Sequence, residues 1–206
     1  MLLRRRSPGI PTRPPDPAEG FEYLDRQSLG VLRWLADNRI DYVLVGPVAR
    51  ALRGAIDAAG PVAIVPAPYR RNYQRLCGAL WTARGRLRND AARPGEPETL
   101  PLKLTPERLA GGARWTLRCG VHDIDVEPSA PHGSGTDAGT SRYQELLYEA
   151  NRFELAAGVS VEVASPEDIE HFDYMRVTGL APEIRISRQA PLEHPAGLDQ
   201  HAPGDR

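Results

Sequence analysis

Three acidic residues alternate along a short segment of this 206-residue chain, and their types and spacing suit metal-assisted chemistry. Residues 120–127 read GVHDIDVE and contain Asp123, Asp125 and Glu127. In a β-strand, alternate side chains point to the same face, so we expect the three carboxylates on one face and the intervening residues on the other. Convergent carboxylates are the ligands that Mg²⁺ uses in phosphoryl transfer. The alternative is a half-exposed strand whose acidic face meets solvent.

A second segment, residues 41–66 (DYVLVGPVARALRGAIDAAGPVAIVP), has the form of a phosphate-handling unit. An apolar run ends at Gly46, a helix-compatible stretch follows and ends at Gly54, and a second apolar run occupies residues 62–65. Backbone N–H groups at the start of a helix can hold phosphate, so this order of elements is typical of nucleotide sites. Gly46 and Arg50 are the candidate nucleotide-binding residues. The alternative is an apolar strand–helix–strand corner without a ligand.

The spacing of residues 41–66 resembles the minimal and abortive-infection-type nucleotidyltransferases of the DNA polymerase β superfamily. Their pattern runs roughly YVLVGG-x-A-x-x-L-x-G-x-x-R-x-T-x-D-I-D, and Gly46, Ala49, Leu52 and Gly54 match it without a gap. The resemblance implies an active site in which two neighbouring aspartates and a third acid on a later strand hold the metal. By position, Asp125 matches the third acid, with Asp123 and Glu127 beside it.

The polar positions of this pattern are replaced in the present chain. Pro61 and Ala63 stand where the family has its two neighbouring aspartates, and neither side chain can bind a metal. Pro47 replaces the second glycine or serine, Asp57 the arginine and Ala59 the threonine. The scaffold positions are retained while the catalytic positions are not, which indicates a fold kept after its catalysis was lost.

The resemblance extends over about residues 24–183. Three further segments resemble later helices and strands of the family: YRRNYQRLCGAL (69–80, with Asn72), YQELLYEA (143–150) and VEVASPEDI (161–169). Asp173 stands at the position of a family lysine, and residues 179–183 lack the basic R-x-x-D ending.

Two functional hypotheses follow. The first is a catalytically inactive nucleotidyltransferase-like protein, or pseudo-enzyme, which binds a nucleotide or a protein partner as in toxin–antitoxin-like systems and needs no cofactor. The second is an active enzyme with a site rebuilt from Asp123, Asp125, Glu127 and Asp57. It would use Mg²⁺ to transfer a nucleotide to an RNA, protein or small-molecule acceptor.

A cluster of arginines makes RNA a candidate partner. Arg70, Arg71 and Arg75 share one predicted helix, and three further arginines alternate after it: Arg84, Arg86 and Arg88. Such a cluster can bind phosphates, or it can be a solvated face of the helix.

Composition predicts a single globular domain with irregular ends. The chain is 41% hydrophobic and 26% charged, and its net charge of −1 predicts no general attraction to nucleic acid or membrane.

Cys77 and Cys119 fit no metal or disulfide spacing. Without an apolar leader or membrane-length segment, we expect a cytoplasmic protein with no membrane partner. The predicted domain spans residues 21–187, between disordered tails at 1–20 and 188–206.

Hydrophobic periodicity predicts an α/β (α+β) fold with a small twisted mixed sheet flanked by helices. Strands are expected near residues 41–46, 61–66, 113–119, 121–127, 152–155 and 159–163. Helices are expected near residues 25–37, 47–54, 69–83, 142–150, 166–177 and 182–187. Loops fall at 90–98 and 129–141, the second containing His132. We expect strands 61–66 and 121–127 to be neighbours, as the family's acid-bearing strands are.

Overall fold

The computed structural model describes residues 7–55, 59–129 and 141–178 of the chain. The helices are α1 (Arg26–Asp37), α2 (Gly46–Leu52), α3 (Arg70–Thr82), α4 (Pro106–Ala110), α5 (Arg142–Glu149) and α6 (Pro166–Thr178). The strands are β1 (Tyr42–Val45), β2 (Val62–Pro66), β3 (Arg86–Arg88), β4 (Thr99–Leu100), β5 (Trp115–Cys119), β6 (His122–Val126), β7 (Asn151–Ala156) and β8 (Val159–Val163).

The strands form one mixed sheet in the order β4-β3-β5-β6-β2-β1-β8-β7. Strand β2 runs parallel to β6, and β1 runs parallel to β8, while the other neighbours are antiparallel. Helices α1, α2 and α5 each contact strands of this sheet. The predicted α/β class with a mixed, helix-flanked sheet is therefore confirmed.

Helix starts are stabilised by side-chain caps from neighbouring residues. The Asp25 carboxylate accepts a hydrogen bond from Ser28 N at 2.8 Å and caps α1. Ser165 accepts one from Asp168 N at 3.2 Å, and Pro166 begins α6. Ser141 and Gln144 form a reciprocal capping box at the start of α5. These caps satisfy N–H groups that have no partner within the helix.

The core is formed by the apolar stretches that the periodicity indicates. Leu44, Ile64, Leu117 and Ile124 of the central strands are fully buried, as is Trp34 of α1. Several further buried side chains come from the same helices and strands, so one continuous cluster connects the layers.

Asn72 is a buried polar residue that joins two loops at one end of the sheet. Its side chain accepts a hydrogen bond from Asp41 N at 2.9 Å and donates to Asp41 O and Ala67 O at 2.7 and 3.2 Å. These contacts satisfy a fully buried amide and hold the start of β1 against the end of β2.

Residues 7–20, called here the N-terminal segment, pack against the domain, although their composition predicts a disordered tail. Pro8 O accepts a hydrogen bond from Trp34 Nε1 at 3.0 Å, and Ala18 N donates to Leu155 O at 2.7 Å. Pro17 also forms an antiparallel bridge with Ala156 of the edge strand β7. Prolines suit this position because the segment follows α1 and the sheet edge without forming a regular element.

Three short elements were not predicted: β3, β4 and α4. Strand β3 pairs with β5, and β4 extends the sheet beyond it, so the hairpin around loop 90–98 belongs to the sheet. The helix expected at 182–187 and the tail at 188–206 lie outside the described residues. No described helix has the length and apolar character needed to span a bilayer.

Candidate functional site

The candidate site lies where β2 and β6 run side by side, as we predicted. Ala63 is directly opposite Asp125 in this parallel pair, and Val62 and Ile64 are opposite Ile124 and Val126. Residues opposite each other point to the same face of a sheet. The face that carries Asp125 therefore presents the methyl group of Ala63 at the adjacent position, and both residues are almost fully buried.

On the other side of β6, the β5–β6 hairpin aligns basic residues with the acids. Arg118 is opposite Asp123, and Thr116 is opposite Asp125, across a tight turn at Gly120, whose φ is +65°. Arg114, just before β5, continues the same alternation and contacts Glu127. Arg118 and Arg114 thus contact the first and the third acid, while Thr116 is the residue opposite Asp125.

Asp125 is enclosed between two guanidinium groups. Arg114 Nη2 donates to Asp125 Oδ2 at 2.6 Å, and Arg88 Nη2 of β3 lies 3.3 Å from Oδ1. The Asp125 side chain has no exposed surface, and Oδ1 accepts no hydrogen bond. The expectation of a solvent-facing acidic strand is therefore wrong for Asp125, because arginines from β3 and from the start of β5 cover it.

Asp123 is held by a two-point contact with its cross-strand partner. Arg118 Nε and Nη2 donate to the two carboxylate oxygens of Asp123 at 2.7 and 2.9 Å. This contact, together with Arg88 nearby, holds the pKa of Asp123 below its ordinary value. Arg118 also contacts Glu98 at 3.1 Å, so the guanidinium joins β6 to the end of the 90–98 loop.

Glu127 is the third member of the row and shares a guanidinium with Asp125. Arg114 Nε lies 2.9 Å from Glu127 Oε1, while its Nη2 contacts Asp125. The buried Arg142 of α5 adds positive charge near Glu127. Arg142 itself lies over the ring of Phe172, 3.8 Å from the ring centre, which places part of this charge between α5 and α6.

The acid–arginine cluster, comprising Asp123, Asp125, Glu127, Arg88, Arg114 and Arg118, is charge-compensated within the chain. A buried carboxylate needs either a metal or a hydrogen-bonded cation, and here the cation is guanidinium. Among the residues that the structure describes, no group of three or more potential ligands is arranged to hold a metal ion. Asp57, the remaining residue of the rebuilt site, lies outside the described residues, as does His132.

The turn before β2 is closely packed at the position where the resemblance implies catalytic groups. A Cβ placed on Gly60 would lie 2.7 Å from Pro47 Cγ, so the proline ring at the start of α2 fills this space. Pro47 also provides no N–H group there.

Gly46 and Arg50 lie on α2 but do not converge on the acid–arginine cluster. Gly46 is a buried first residue of α2 with φ +67°. Arg50 instead lines a cavity of about 330 Å³ between α2 and α6, together with Arg53, Ile169, Glu170 and Asp173, among others. Arg50 Nη1 pairs with Asp173 Oδ2 at 3.0 Å.

Arg53, which also lines this cavity, donates its hydrogen bonds to other groups of the protein. Its guanidinium donates to Val163 O, Ala164 O and Asn151 Oδ1 at distances between 2.6 and 3.1 Å. It also lies 5.4 Å from the centre of the Phe153 ring. Arg53 therefore anchors the end of α2 to β7 and β8, which leaves Arg50, with a side chain 51% exposed, as the more accessible of these two arginines.

The arginines considered for RNA binding separate into different environments. Arg70 and Arg71 are exposed at the start of α3, and Arg75 donates to Arg39 O at 2.7 Å. Arg86 donates to Thr99 Oγ1 at 2.7 Å, which ties β3 to β4. Arg88 belongs to the acid–arginine cluster.

Arg114 and Arg118 are the site residues that the sequence analysis missed. The sequence does carry a signal for these two arginines. A tight turn after Cys119 fixes which residues of the two flanking strands lie opposite each other. Arg88 was noticed only as one of several basic residues, since its position beside Asp125 depends on the pairing of β3 with β5.

No family model matches this sequence, and no curated protein is significantly similar to it.

Proposed function

We propose that this protein is a catalytically inactive nucleotidyltransferase-like protein that acts by binding a nucleotide or a protein partner. The observation that carries the proposal is the environment of Asp125. The acid that matches the family's third metal ligand lies beside Ala63 and is paired with Arg114 at 2.6 Å. A guanidinium therefore takes the place that a catalytic metal would need.

Inactivity is expected because the chain lacks both the ligands for a catalytic metal and the groups that would stabilise the transferred phosphate. Metal ions and oriented donors supply much of the barrier reduction in phosphoryl transfer, and removing one such donor typically costs about 100-fold to 1,000-fold in rate. Here Ala63 and Pro61 offer no ligands, Pro47 offers no N–H group, and Asp125 is neutralised. Loss of these contributions together leaves activity near background.

The support for retained binding comes from the cavity between α2 and α6. Its volume of about 330 Å³ lies at the lower end of the range for small-molecule sites. Arg50 is the more exposed of the two arginines that line it, and engagement of a phosphate there requires separation of the Arg50–Asp173 pair.

The decisive experiment is an assay of labelled nucleotide transfer. Purified wild-type protein is incubated with each nucleoside triphosphate, with Mg²⁺ or Mn²⁺, and with RNA or with the protein alone as acceptor. We expect label incorporation at background for wild type and equally for Asp125→Ala. Asp37→Ala, which removes a carboxylate from the surface of α1, is the matched control.

Metal-dependent transfer that is retained in Asp37→Ala and abolished in Asp125→Ala would overturn the proposal. That result would establish the rebuilt acidic site as the active alternative.

A further inference from the structure

Three residues spaced one helical turn apart along α1 contact the N-terminal segment. Gly30, Trp34 and Asn38, called here the α1 stripe, share one face of the helix because they are four residues apart. Trp34 Nε1 and Asn38 Nδ2 both donate to Pro8 O, at 3.0 and 3.1 Å. A buried indole N–H needs an acceptor, and this carbonyl supplies it.

Gly30 gives the segment room to approach the helix. A Cβ placed on Gly30 would lie 3.7 Å from Pro14 Cβ, 3.9 Å from Ile10 Cγ2 and 3.9 Å from Pro11 O. One methyl group would therefore fit against these atoms, whereas a leucine side chain would need the space that they occupy.

The prolines of the segment recur at every third position, at residues 8, 11, 14 and 17. An extended polyproline chain has three residues per turn, so this spacing favours prolines along one side. The three later prolines are half-buried, and the exposed residues between them are Thr12, Arg13 and Asp16. Because proline has a fixed φ, such a chain loses little flexibility on binding. The segment therefore has the properties of proline-rich peptides that dock against aromatic side chains.

The connection between these residues and α1 is short and exposed. Ala18 N donates to Leu155 O at 2.7 Å, and the ring of Phe21 packs edge-on against Phe153. Between these anchored residues, Glu19 and Gly20 are exposed, and Gly20 has a φ of +87°. A glycine changes conformation at little steric cost, so the preceding residues can reach another copy of the protein while Phe21 stays in place.

We infer that the α1 stripe is a binding site for an extended proline-rich chain, that residues 7–18 occupy it as a tethered ligand, and that the same residues of a second copy can replace them. The contacts are the same in both arrangements, so the tether sets the balance between them. A short tether gives the cis segment an effective concentration on the order of 1 mM or more, which favours the cis arrangement in dilute wild-type protein. The inference goes beyond the proposed function and uses no residue of the acid–arginine cluster or of the cavity.

The test weakens the cis contact and supplies the segment in trans. In the full chain, Ile10→Asp with Pro14→Asp places charges against Gly30 and leaves the α1 stripe intact. A synthetic peptide of residues 7–18 is added to this ¹⁵N-labelled variant, and NMR follows the indole N–H resonance of Trp34. Trp34→Phe identifies that resonance among the three tryptophans. We expect it to return saturably towards its wild-type position, with half of the change below about 1 mM peptide.

Matched controls locate the contact on the α1 stripe. The same peptide carrying both aspartates should have no effect. Gly30→Leu, added to the labelled variant, should abolish the response, because leucine suits the helix but fills the space beside Gly30. Arg26→Leu, which adds the same side chain at an exposed position of α1, should leave the response unchanged.

Two full-length variants then test exchange between copies. Gly30→Leu alone combines an intact segment with a blocked stripe, and the labelled double variant has the reverse. Adding unlabelled Gly30→Leu protein should shift the Trp34 resonance as the peptide does.

Circular dichroism establishes that each variant is folded, and Pro14→Asp alone replaces the double variant if that variant is unfolded. Absence of a response to the peptide would overturn the inference, as would a response that persists with Gly30→Leu in the labelled protein. A response to the peptide but not to the full chain would overturn the exchange between copies. Nucleotide transfer is measured separately, so failure of the proposed function and failure of this inference are distinguishable.

Discussion

Individual residues of the acid–arginine cluster stabilise the fold through their ion pairs. Asp123 receives two hydrogen bonds from Arg118, and Asp125 is enclosed by Arg88 and Arg114. Removing one member of an isolated buried pair typically costs about 3 to 5 kcal/mol, and the further partners within this cluster reduce that cost. These residues therefore contribute to specifying how β3, β5 and β6 align, whatever the protein binds.

Asp123→Asn should reduce the dependence of stability on acid pH. The Arg118 contact lowers the pKa of Asp123 in the folded protein, so its ionised form stabilises the fold above the ordinary aspartate pKa of about 4. This contribution is lost as pH falls through the lowered value. We expect Asp123→Asn to have a lower Tm than wild type at pH 6, with a smaller difference near pH 2.5.

The control for this pH series is Asp37→Asn, which removes a carboxylate that contacts Arg33 through one oxygen on the surface of α1. Exposed pairs of that kind contribute little. If the Tm difference between wild type and Asp123→Asn is the same at both pH values, the Arg118 contact does not stabilise the folded state.

Variants of Arg50 and of its partner Asp173 test Arg50 as a candidate nucleotide-binding residue. If Arg50 contacts phosphate, Arg50→Ala should weaken ATP binding, and Asp173→Asn should strengthen it by releasing the guanidinium. An exposed ion pair contributes up to about 1 kcal/mol, so we expect an increase in affinity of about fivefold at most for Asp173→Asn, measured by calorimetry.

Glu170→Gln is the matched control because Glu170 lines the same cavity. An equal increase in Glu170→Gln would indicate a general charge effect. Unchanged affinity in Arg50→Ala would remove Arg50 from the candidate nucleotide site.

At the scale of elements, the N-terminal segment protects two surfaces at once. Pro8 receives the indole hydrogen bond of Trp34, and Ile10 and Pro14 lie near Gly30 on the same helix. Pro17 and Ala18 pair with the end of β7, an edge strand whose backbone groups would otherwise be free to pair with another chain there.

Deletion of residues 1–18 should therefore destabilise the protein and promote self-association. Exposure of Trp34 and of neighbouring apolar side chains is expected to cost a few kcal/mol, which corresponds to a fall in Tm of about 5 to 10 °C. Scanning calorimetry and sedimentation velocity measure the two effects. Deletion of residues 1–6 alone is the control, and an equal loss of stability in that control would contradict the role assigned to residues 7–18.

At the scale of the whole molecule, the parallel β2–β6 pair brings together segments that are about 60 residues apart in the chain. Strands β5 and β3 then extend the sheet on the side that supplies the arginines, while β1, β8 and β7 extend it on the other side. The acid–arginine cluster is thus built at the middle of one continuous sheet. Its charges are satisfied only when β3, β5 and β6 are aligned.

Much of the fold could be predicted from the sequence because its signals are local. The apolar runs at 42–45 and 62–65, the alternation of residues 122–126 and the caps at Asp25 and Ser165 each depend on neighbours within a few residues. The neighbouring position of β2 and β6 was also predicted, although from the resemblance. Strands β3 and β4 were missed because each has three residues or fewer, too short for periodicity to identify.

The sequence by itself determined the mixed α/β frame, the shared face of Asp123, Asp125 and Glu127, and the absence of carboxylates at Pro61 and Ala63. Arg118 opposite Asp123 is a local feature, because the tight turn of the β5–β6 hairpin sets that register. The tertiary structure alone decided that Arg88 reaches Asp125, since this contact depends on the pairing of β3 with β5. Periodicity reports which face a side chain occupies, but the partner on that face depends on register between distant strands. The sequence pattern alone is compatible with a row of acids that faces solvent or binds a metal. In the folded protein, arginines from neighbouring strands enclose that row.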